Sequence, residues 1–300
     1  MEWKSVAEKI IQDDQNKWEQ TYLAEELELT KLGIGVWPFS DHAMSQFCQK
    51  LDIPVRYFRR LPDEMKMTVA NFDLRRLKGT SFFVRGKGEW VCAFLSAEYV
   101  AYNNSEIAQT AESLLRNAAL SVKSFVLEET HMFLKIISED IHDLESGLKA
   151  GIMIGNSEVG MGSVSVEPFV FRKPCTNDLI VSQEKSFRHA HIHLTEYEMT
   201  RRMAEAVSEG FRVASSVLDA FLKTREEPIE NPVETIRKIA EARQLSQKLT
   251  DEVVSSYLIE PESNRFGLIN AFTNASQKLG PLQRIEMERF AGTLLEAPLQ

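Results

Sequence analysis

Hydrophobic and polar positions alternate most clearly in the middle of the chain, in residues 151–181. Over residues 163–171 the alternation has a period of two, which predicts a strand with one buried face. Gly155, Gly160 and Gly162 interrupt the segment where the backbone is expected to turn or to approach a neighbour closely. The segment therefore predicts about two or three strands, around which the rest of the chain is organised.

Further strands are predicted outside this segment. Residues 80–94 have the pattern of a β-hairpin, in which two apolar runs flank a Gly-Lys-Gly turn. Similar apolar runs occupy residues 122–127, 132–138 and 187–194. The sequence thus predicts about seven or eight strands, with helices before, between and after them. This order favours an α+β fold with a mostly antiparallel sheet.

Helical spacing of apolar positions predicts several helices near the N-terminus. One is expected to cover residues 1–30, with acidic side chains on its outer face. Three short helices are expected to begin near Ser40, Pro54 and Pro62, since serine caps helices and proline fits their first turn.

The longest predicted helix begins after Thr195. Thr195 and Glu198 have the spacing of a capping box, and the helix is expected to reach about Thr224, a length of about 42 Å. Its apolar positions follow a heptad-like seam of Met203, Val207, Gly210, Ala214, Val217 and Phe221. The small residues in this seam indicate a close neighbour, which can be the sheet, another helix of the chain or a helix of a second subunit.

The C-terminal third is predicted to be helical. Residues 228–232 begin and end with proline and form a linker, and helical patterns follow in residues 246–258, 266–279 and 282–295. We therefore predict an α+β core domain in residues 1–225 and a helical C-terminal region in residues 226–300 that packs on it.

The composition is typical of a soluble globular protein. Of 300 residues, 43% are hydrophobic and 26% are charged. No run of about 18 apolar residues is present, so neither a membrane-spanning segment nor a membrane partner is expected. Cys48, Cys92 and Cys175 are too scattered for a disulfide framework, which favours a reducing, cytoplasmic location.

Charge is distributed unevenly along the chain. The net charge of −9 argues against indiscriminate binding to nucleic acid. Residues 56–87, however, hold nine basic and three acidic side chains, a net charge of +6. Two explanations fit this window: a local electrostatic site, or a solvated helix face followed by a hairpin with basic tips.

The electrostatic explanation predicts a groove for single-stranded nucleic acid. In such a groove cations hold phosphates and aromatic rings stack on bases. The aromatic candidates are Tyr57, Phe58, Phe83 and Trp90. The predicted phosphate-binding side chains are Arg56, Arg59, Arg60, Arg75, Arg76, Lys78, Arg85, Lys87, Arg172 and Arg188. In the alternative, these cations form a solvated rim and the aromatic side chains lie in the core.

Three histidines suggest a different chemistry. His189, His191 and His193 alternate along the chain, so on a strand their rings would share one face, as the ligands of some zinc sites do. A further ligand would come from Glu158, Glu167, Asp178 or His142. Zinc or another divalent metal is the cofactor that this pattern allows. Otherwise the histidines lie on a strand face near solvent and no cofactor is expected.

The sequence lacks the motifs of common enzyme classes. It contains no nucleophile elbow, no Rossmann fingerprint, no P-loop and no Cys-x-x-Cys pair. Cys175 would be a nucleophile only if a histidine lay beside it, and a small buried residue in a constrained turn is the simpler explanation. An enzyme of a familiar class is therefore not predicted.

Residues 156–181 resemble the central motif of a phage- and plasmid-borne family, domain-of-unknown-function family nine-thirty-two. The shared features are an Asn-Ser-Glu-hydrophobic-Gly turn, a strand, Arg172 and then Cys-Thr-Asn. Arg188-His189 and residues 267–273 (GLINAFT) resemble later motifs of the family. The chain departs from the family at Asp178, where glycine is usual. The resemblance implies a phage or plasmid protein and leaves its activity open.

The sequence thus favours a phage- or plasmid-type DNA-metabolism protein that binds single-stranded DNA. A recombination mediator or strand-annealing protein is the concrete form, by analogy with phage annealing proteins and the Rad fifty-two type, and self-association is then expected. The first alternative is a metal-dependent enzyme that uses the histidine face. The second is an interaction protein, such as an anti-defence or replication-accessory factor, whose acidic N-terminal helix binds a protein partner.

Overall fold

Helices and antiparallel strands alternate along the chain, as the sequence predicts. The computed structural model describes residues 1–27, 29, 33–35, 37–116, 119–173, 177–181 and 186–297. In these ranges all pairs between named strands are antiparallel, and helices lie before, between and after the sheets. The predicted α+β fold is confirmed.

The predicted helix over residues 1–30 is wrong in its second half. α1 (Trp3–Asp14) ends early, and β1 (Lys17–Leu23) follows it as a strand. Trp18 and Tyr22 are four residues apart, a spacing that fits one face of a helix and equally one face of a strand. Both side chains pack on the core beneath β1. The acidic partner-binding helix stays a prediction, and Val6 and Ile10 of α1 are buried in the core.

The N-terminal unit is a three-stranded sheet that shares one core with three helices. The sheet has the order β1, β4 (Ser81–Lys87), β5 (Trp90–Ser96), and the predicted hairpin is thereby confirmed. A short hairpin of β2 (Gly33–Ile34) and β3 (Trp37–Pro38) precedes the helices. The helices are α2 (Asp41–Lys50), α3 (Val55–Arg60) and α4 (Asp63–Arg76). Phe47, Phe58, Phe82 and Phe94 are among the side chains that fill the core between helices and sheet.

The central sheet has six strands and contains the organising segment of the sequence. After α5 (Asn104–Leu115), its strands run β10, β9, β8, β7 and β6 in spatial order, with β11 also paired to β9. Their bounds are β6 (Leu120–Leu127), β7 (Met132–Asp143), β8 (Leu148–Asn156), β9 (Val164–Arg172), β10 (Asn177–Ile180) and β11 (Phe187–His189). The predicted strand over residues 187–194 therefore stops five residues early.

One face of the central sheet is covered by the long helix α6 (Glu196–Lys223). Thr195 caps it and Glu198 completes the predicted capping box. A Cβ atom added at Gly210 would lie 2.9 Å from Cγ2 of Ile152 and 3.2 Å from Cγ1 of Val166. The close neighbour of the small residues in the seam is therefore the sheet, on β8 and β9.

The C-terminal helices continue the core of the sheet. They are α7 (Pro232–Ala242), α8 (Gln247–Ile259), α9 (Arg265–Ser276) and α10 (Pro281–Thr293). Their buried side chains join those of α6 and of β8–β10 in one hydrophobic cluster, as expected for a region packed on the core. Ile285 of α10 contacts the opposite face of the sheet, with Phe169 and Ile180. The division between residues 225 and 226 as a domain boundary stays a prediction.

None of the helices in the described ranges is long and apolar enough to cross a membrane.

Candidate nucleic-acid interface

α3 and α4 are two consecutive helices that carry most of the predicted phosphate-binding side chains. Pro54 and Pro62 precede them and stop each preceding segment from continuing as a helix. Phe58, Ala70 and Leu74 are buried and attach the two helices to the N-terminal core. Arginines end both helices, where the partial negative charge of the helix C-terminus favours them. Val55 and Val69 also pack against this core, whereas the arginines of both helices are exposed.

The outer face of α3 presents cations without partners. Arg56 and Arg60 are exposed and lie four residues apart, on one side of the helix. Within the described part of the chain, neither has an ion-pair partner. Tyr57 lies between them and is 51% exposed. Arg59 is also exposed but lies 3.6 Å from the carboxylate of Asp41.

The outer face of α4 presents large apolar side chains beside cations. Met65 and Phe72 are seven residues apart on one stripe, and Phe72 is 62% exposed. Arg75 and Arg76 extend this stripe by one turn and are exposed. Lys78 follows the helix and is exposed as well. Large apolar side chains that are exposed together and lie beside charged groups are typical of binding surfaces, so this face is a candidate.

We call this region the α3–α4 surface. Its cations are Arg56, Arg59, Arg60, Arg75, Arg76 and Lys78, and its exposed aromatic side chains are Tyr57 and Phe72. Residues 55–78 hold seven basic and three acidic side chains, a net charge of +4. The structure thus places these predicted cations on one pair of helices and adds Phe72, which the sequence analysis did not select.

Arg85 is not part of this surface, which corrects one predicted site residue. It is 1% exposed and pairs with the carboxylate of Glu19. Its guanidinium also donates to the backbone oxygen of Glu158 at 2.9 Å and to Oδ1 of Asn103 at 2.8 Å. Arg85 therefore holds the N-terminal unit to the central sheet and cannot reach a phosphate in this conformation.

Three further predicted cations are also engaged elsewhere. Lys87 is exposed at the hairpin tip but pairs with Asp13 of α1. Arg172 is buried and makes two 2.5 Å contacts with the carboxylate of Glu260. Arg188 is exposed and lies 3.6 Å from the buried carboxylate of Glu167. The ion pairs of these three cations therefore involve α1, β9 and Glu260, and not α3 or α4.

The aromatic candidates separate in the same way. Phe58 is buried, and Phe83 is half-buried against the ring of Tyr99. Trp90 is 53% exposed on β5. Of the predicted stacking side chains, Tyr57 and Trp90 therefore remain accessible.

The predicted histidine face does not form. β11 ends at His189, and His193 has a positive φ of 63°, so the alternation of a strand is lost after His189. His191 is buried, with its ring stacked on Tyr99 and both ring nitrogens in hydrogen-bond contact, with the Val100 oxygen at 3.1 Å and with Oδ1 of Asn156 at 3.0 Å. Burial lowers the pKa of His191 to about 4. The three rings are therefore not a metal site in the described structure.

Residues 156–160 form a polar hub that the sequence analysis recorded only as a motif. Asn156 donates to the backbone of Tyr102 and to Oδ1 of Asn104. The Glu158 carboxylate accepts from Lys17 at 2.6 Å and from the backbone N–H of Asn104 at 2.7 Å. Gly160 has a positive φ of 72°, which favours glycine. The polar side chains of this motif thus join the N-terminal unit, α5 and the central sheet.

A cluster of three carboxylates at the hub surrounds the ammonium of a lysine. Oxygen atoms of Asp13, Asp14 and Glu158 lie within 4.8 Å of one another, as metal ligands do. The Lys17 ammonium lies among them, 3.1 Å from Asp13 and 2.6 Å from Glu158. Burial acts to lower the pKa of Lys17, but the Glu158 and Asp14 carboxylates outweigh it and raise that pKa. The Lys17 ammonium therefore contacts all three carboxylates that a metal ion would need.

A second buried ion network lies between the sheet and α10. Asp178 is buried between Lys123 and Lys135, and Lys135 also lies 2.6 Å from Glu288 of α10. Burial lowers the pKa of Lys123 to about 8 despite the neighbouring Asp178 carboxylate. Asp178 of β10 therefore makes ion pairs with β6 and β7, which a glycine at this position could not make.

Asn177, the last residue of the Cys-Thr-Asn motif, contacts residues 267–273, another family-like motif. Nδ2 of Asn177 donates to Oγ1 of Thr273 at 2.5 Å, which joins β10 to α9. Cys175 and Thr176 lie outside the described residues, so the nucleophile hypothesis for Cys175 has no structural test.

Comparison with protein-family models, with curated proteins and with solved structures gives no match for this chain. The resemblance to domain-of-unknown-function family nine-thirty-two stays a prediction.

Proposed function

We propose that this protein binds single-stranded nucleic acid on the α3–α4 surface. The observation that supports the proposal is the joint exposure of six cations and two aromatic rings on consecutive helices. Arg56 and Arg60 supply donors for phosphates, and Tyr57 lies on the same helix turn for stacking on a base. A duplex hides its base faces, so the aromatic side chains give preference to single strands.

The proposal is tested by fluorescence anisotropy with a labelled single-stranded oligonucleotide and its duplex at two salt concentrations. The single strand is expected to bind more tightly, and its affinity is expected to fall as salt rises because phosphate contacts release counterions. Reversal of both charges in Arg56→Glu/Arg60→Glu is expected to weaken binding at least about tenfold and to flatten the salt dependence.

The matched control is Arg202→Glu/Arg237→Glu. Both arginines are exposed on other helices, and the double variant changes the net charge by the same amount. It should bind as the unmodified protein does. Equal loss of affinity in the two double variants would mean that net charge, and not the α3–α4 surface, governs binding.

In its narrower form the proposal is a phage- or plasmid-type recombination mediator or strand-annealing protein that self-associates. Cations that hold the backbone would leave most bases free to pair with a second strand. Accelerated annealing of complementary oligonucleotides, lost in Arg56→Glu/Arg60→Glu, is the expected result. If the protein binds single strands but does not accelerate their annealing, the binding function stands and the annealing role is rejected.

A further inference from the structure

A groove in the C-terminal helices has the character of a ligand site. It has a volume of about 600 Å³ and lies between the turn that leads from α7 into α8, the end of α9 and the outer side of α10. Ligand sites in proteins commonly have volumes of about 300–1,000 Å³, with apolar walls and a few polar groups that orient the ligand. This groove shares no residue with the α3–α4 surface.

The floor of the groove is apolar. Its side chains come from three helices and two turns, and they are Leu245, Leu249, Ala275, Leu279, Met287 and Phe290. Ala275 and Met287 are buried, whereas the others are half-buried and leave apolar surface in contact with solvent. Covering that surface with an apolar ligand would be favourable by the hydrophobic effect.

The rim of the groove carries an excess of accessible positive charge. Lys278 pairs with Glu252, so these two charges compensate each other. Arg243 directly follows α7 and Lys248 lies in the first turn of α8, and both side chains are exposed. Neither has an ion-pair partner among the residues that the structure describes, and Glu286 is the unpaired acid of the rim.

Arg243 is well placed to bind an anion. Its guanidinium lies over the ring of Phe290, 4.7 Å from the centroid, so the apolar floor and the charge are in contact. A guanidinium held on an aromatic face keeps its N–H donors in its own plane and open to an acceptor. A ligand with an apolar chain along the floor would bring an anionic head to Arg243 and Lys248.

We propose that this groove binds a small amphiphilic anion, an unbranched carboxylic acid of medium chain length. The apolar floor fits the chain and the two unpaired cations fit the carboxylate. A cationic amphiphile of equal chain length is disfavoured beside Arg243 and Lys248, because the three cations of the rim outnumber its two acids.

The test is isothermal titration calorimetry of the full chain with decanoate below its micelle concentration, and with decyltrimethylammonium as the probe of opposite charge. Decanoate is expected to bind saturably with one site, at least tenfold more tightly than decyltrimethylammonium. Arg243→Gln/Lys248→Gln should remove that preference. Arg237→Gln, an exposed cation of α7 that does not line the groove, should retain it.

Methyl NMR locates the site independently. The Met287 methyl resonance, assigned with the near-isosteric Met287→Leu variant, is expected to shift on addition of decanoate. Absence of saturable binding would overturn the proposal. Binding that leaves the Met287 resonance unshifted would also overturn it. The same holds if decanoate and decyltrimethylammonium bind with equal affinity, or if the Arg243→Gln/Lys248→Gln variant keeps the preference for decanoate.

Discussion

His191 is a residue whose surroundings constrain its protonation. Its ring is buried against Tyr99 and contacts the Val100 oxygen and the Asn156 side chain, so a charged imidazolium would lose water without gaining a carboxylate. The neutral form is therefore favoured in the folded protein, where burial lowers the pKa of His191 to about 4. In the unfolded chain the ring regains an ordinary value near 6.5.

This difference predicts a loss of stability in mild acid. Because the folded pKa is depressed, the unfolded chain binds a proton at His191 more readily than the folded protein does. The contribution of His191 to stability is therefore fully present above about pH 6.5 and is lost as pH falls toward 4. At pH 5 this loss of unfolding free energy amounts to about 2 kcal/mol. His191→Gln should reduce by that amount the drop in unfolding free energy between pH 7.5 and pH 5, measured by urea denaturation. His193→Gln, on an exposed side chain, is the control. An unchanged drop in His191→Gln would assign the acid sensitivity to other groups.

Among the elements, α6 packs close to the central sheet because Gly210 has no side chain. Gly210 lies where the helix crosses β8 and β9, and the methyl groups of Ile152 and Val166 occupy the space that a Cβ would take. Ridges of larger side chains on either side, at Val207 and Ala214, are buried against the same sheet. The helix therefore cannot keep its position if this residue grows.

Gly210→Leu is accordingly expected to destabilise the protein by about 1–3 kcal/mol, as overpacked cores do. The gain in helix propensity over glycine, about 1 kcal/mol, offsets only part of this cost. Ser215→Leu adds the same side chain on the exposed side of α6 and should leave the urea midpoint nearly unchanged. A Gly210→Leu protein as stable as the Ser215→Leu protein would show that the sheet does not confine the helix here.

Elements fixed by neighbours in sequence were predictable, whereas those fixed by distant partners were not. The caps at Ser40 and Thr195 act through residues three positions away, and both are formed as expected. Trp18 and Tyr22 fit a helix and a strand equally, and pairing with β4 decided between them. Arg85 and Lys87 looked like a basic hairpin tip because Glu19 and Asp13, their partners, lie far away in the sequence.

For the whole molecule, the polar hub is the joint between the N-terminal unit and the central sheet. Glu158 contacts Lys17 of β1 and the start of α5, while its backbone oxygen accepts from Arg85 of β4. The hydrophobic core of the N-terminal unit is separate from that of the central sheet, and a small apolar cluster joins Ala93 and Leu95 of β5 to Val159 of the hub segment. Loss of the Glu158 charge should therefore act mainly on attachment of the N-terminal unit.

Glu158→Gln is expected to accelerate amide hydrogen exchange in β1 and β4 by about 5–30-fold, a loss of about 1–2 kcal/mol, with little effect in α8 and α9. The glutamine keeps an acceptor for the Asn104 amide but leaves Lys17 with the Asp13 and Asp14 carboxylates alone. Glu234→Gln, which removes an exposed ion pair with Lys238, is the control and should change exchange little. A uniform acceleration across the chain would mean that the two cores unfold together.

Of the ten predicted cations, Arg56, Arg60, Arg75 and Lys78 make no ion pair among the described residues, and all four lie on α3, on α4 or directly after it. Residues 55–78 carry +4 in a chain whose total is −9, so the other residues together carry −13. Such a charge separation favours approaches to a polyanion in which the α3–α4 surface leads. Copies seated on one strand would also turn acidic surfaces toward each other. Spacing along the strand should therefore tighten as ionic strength rises and that repulsion is screened.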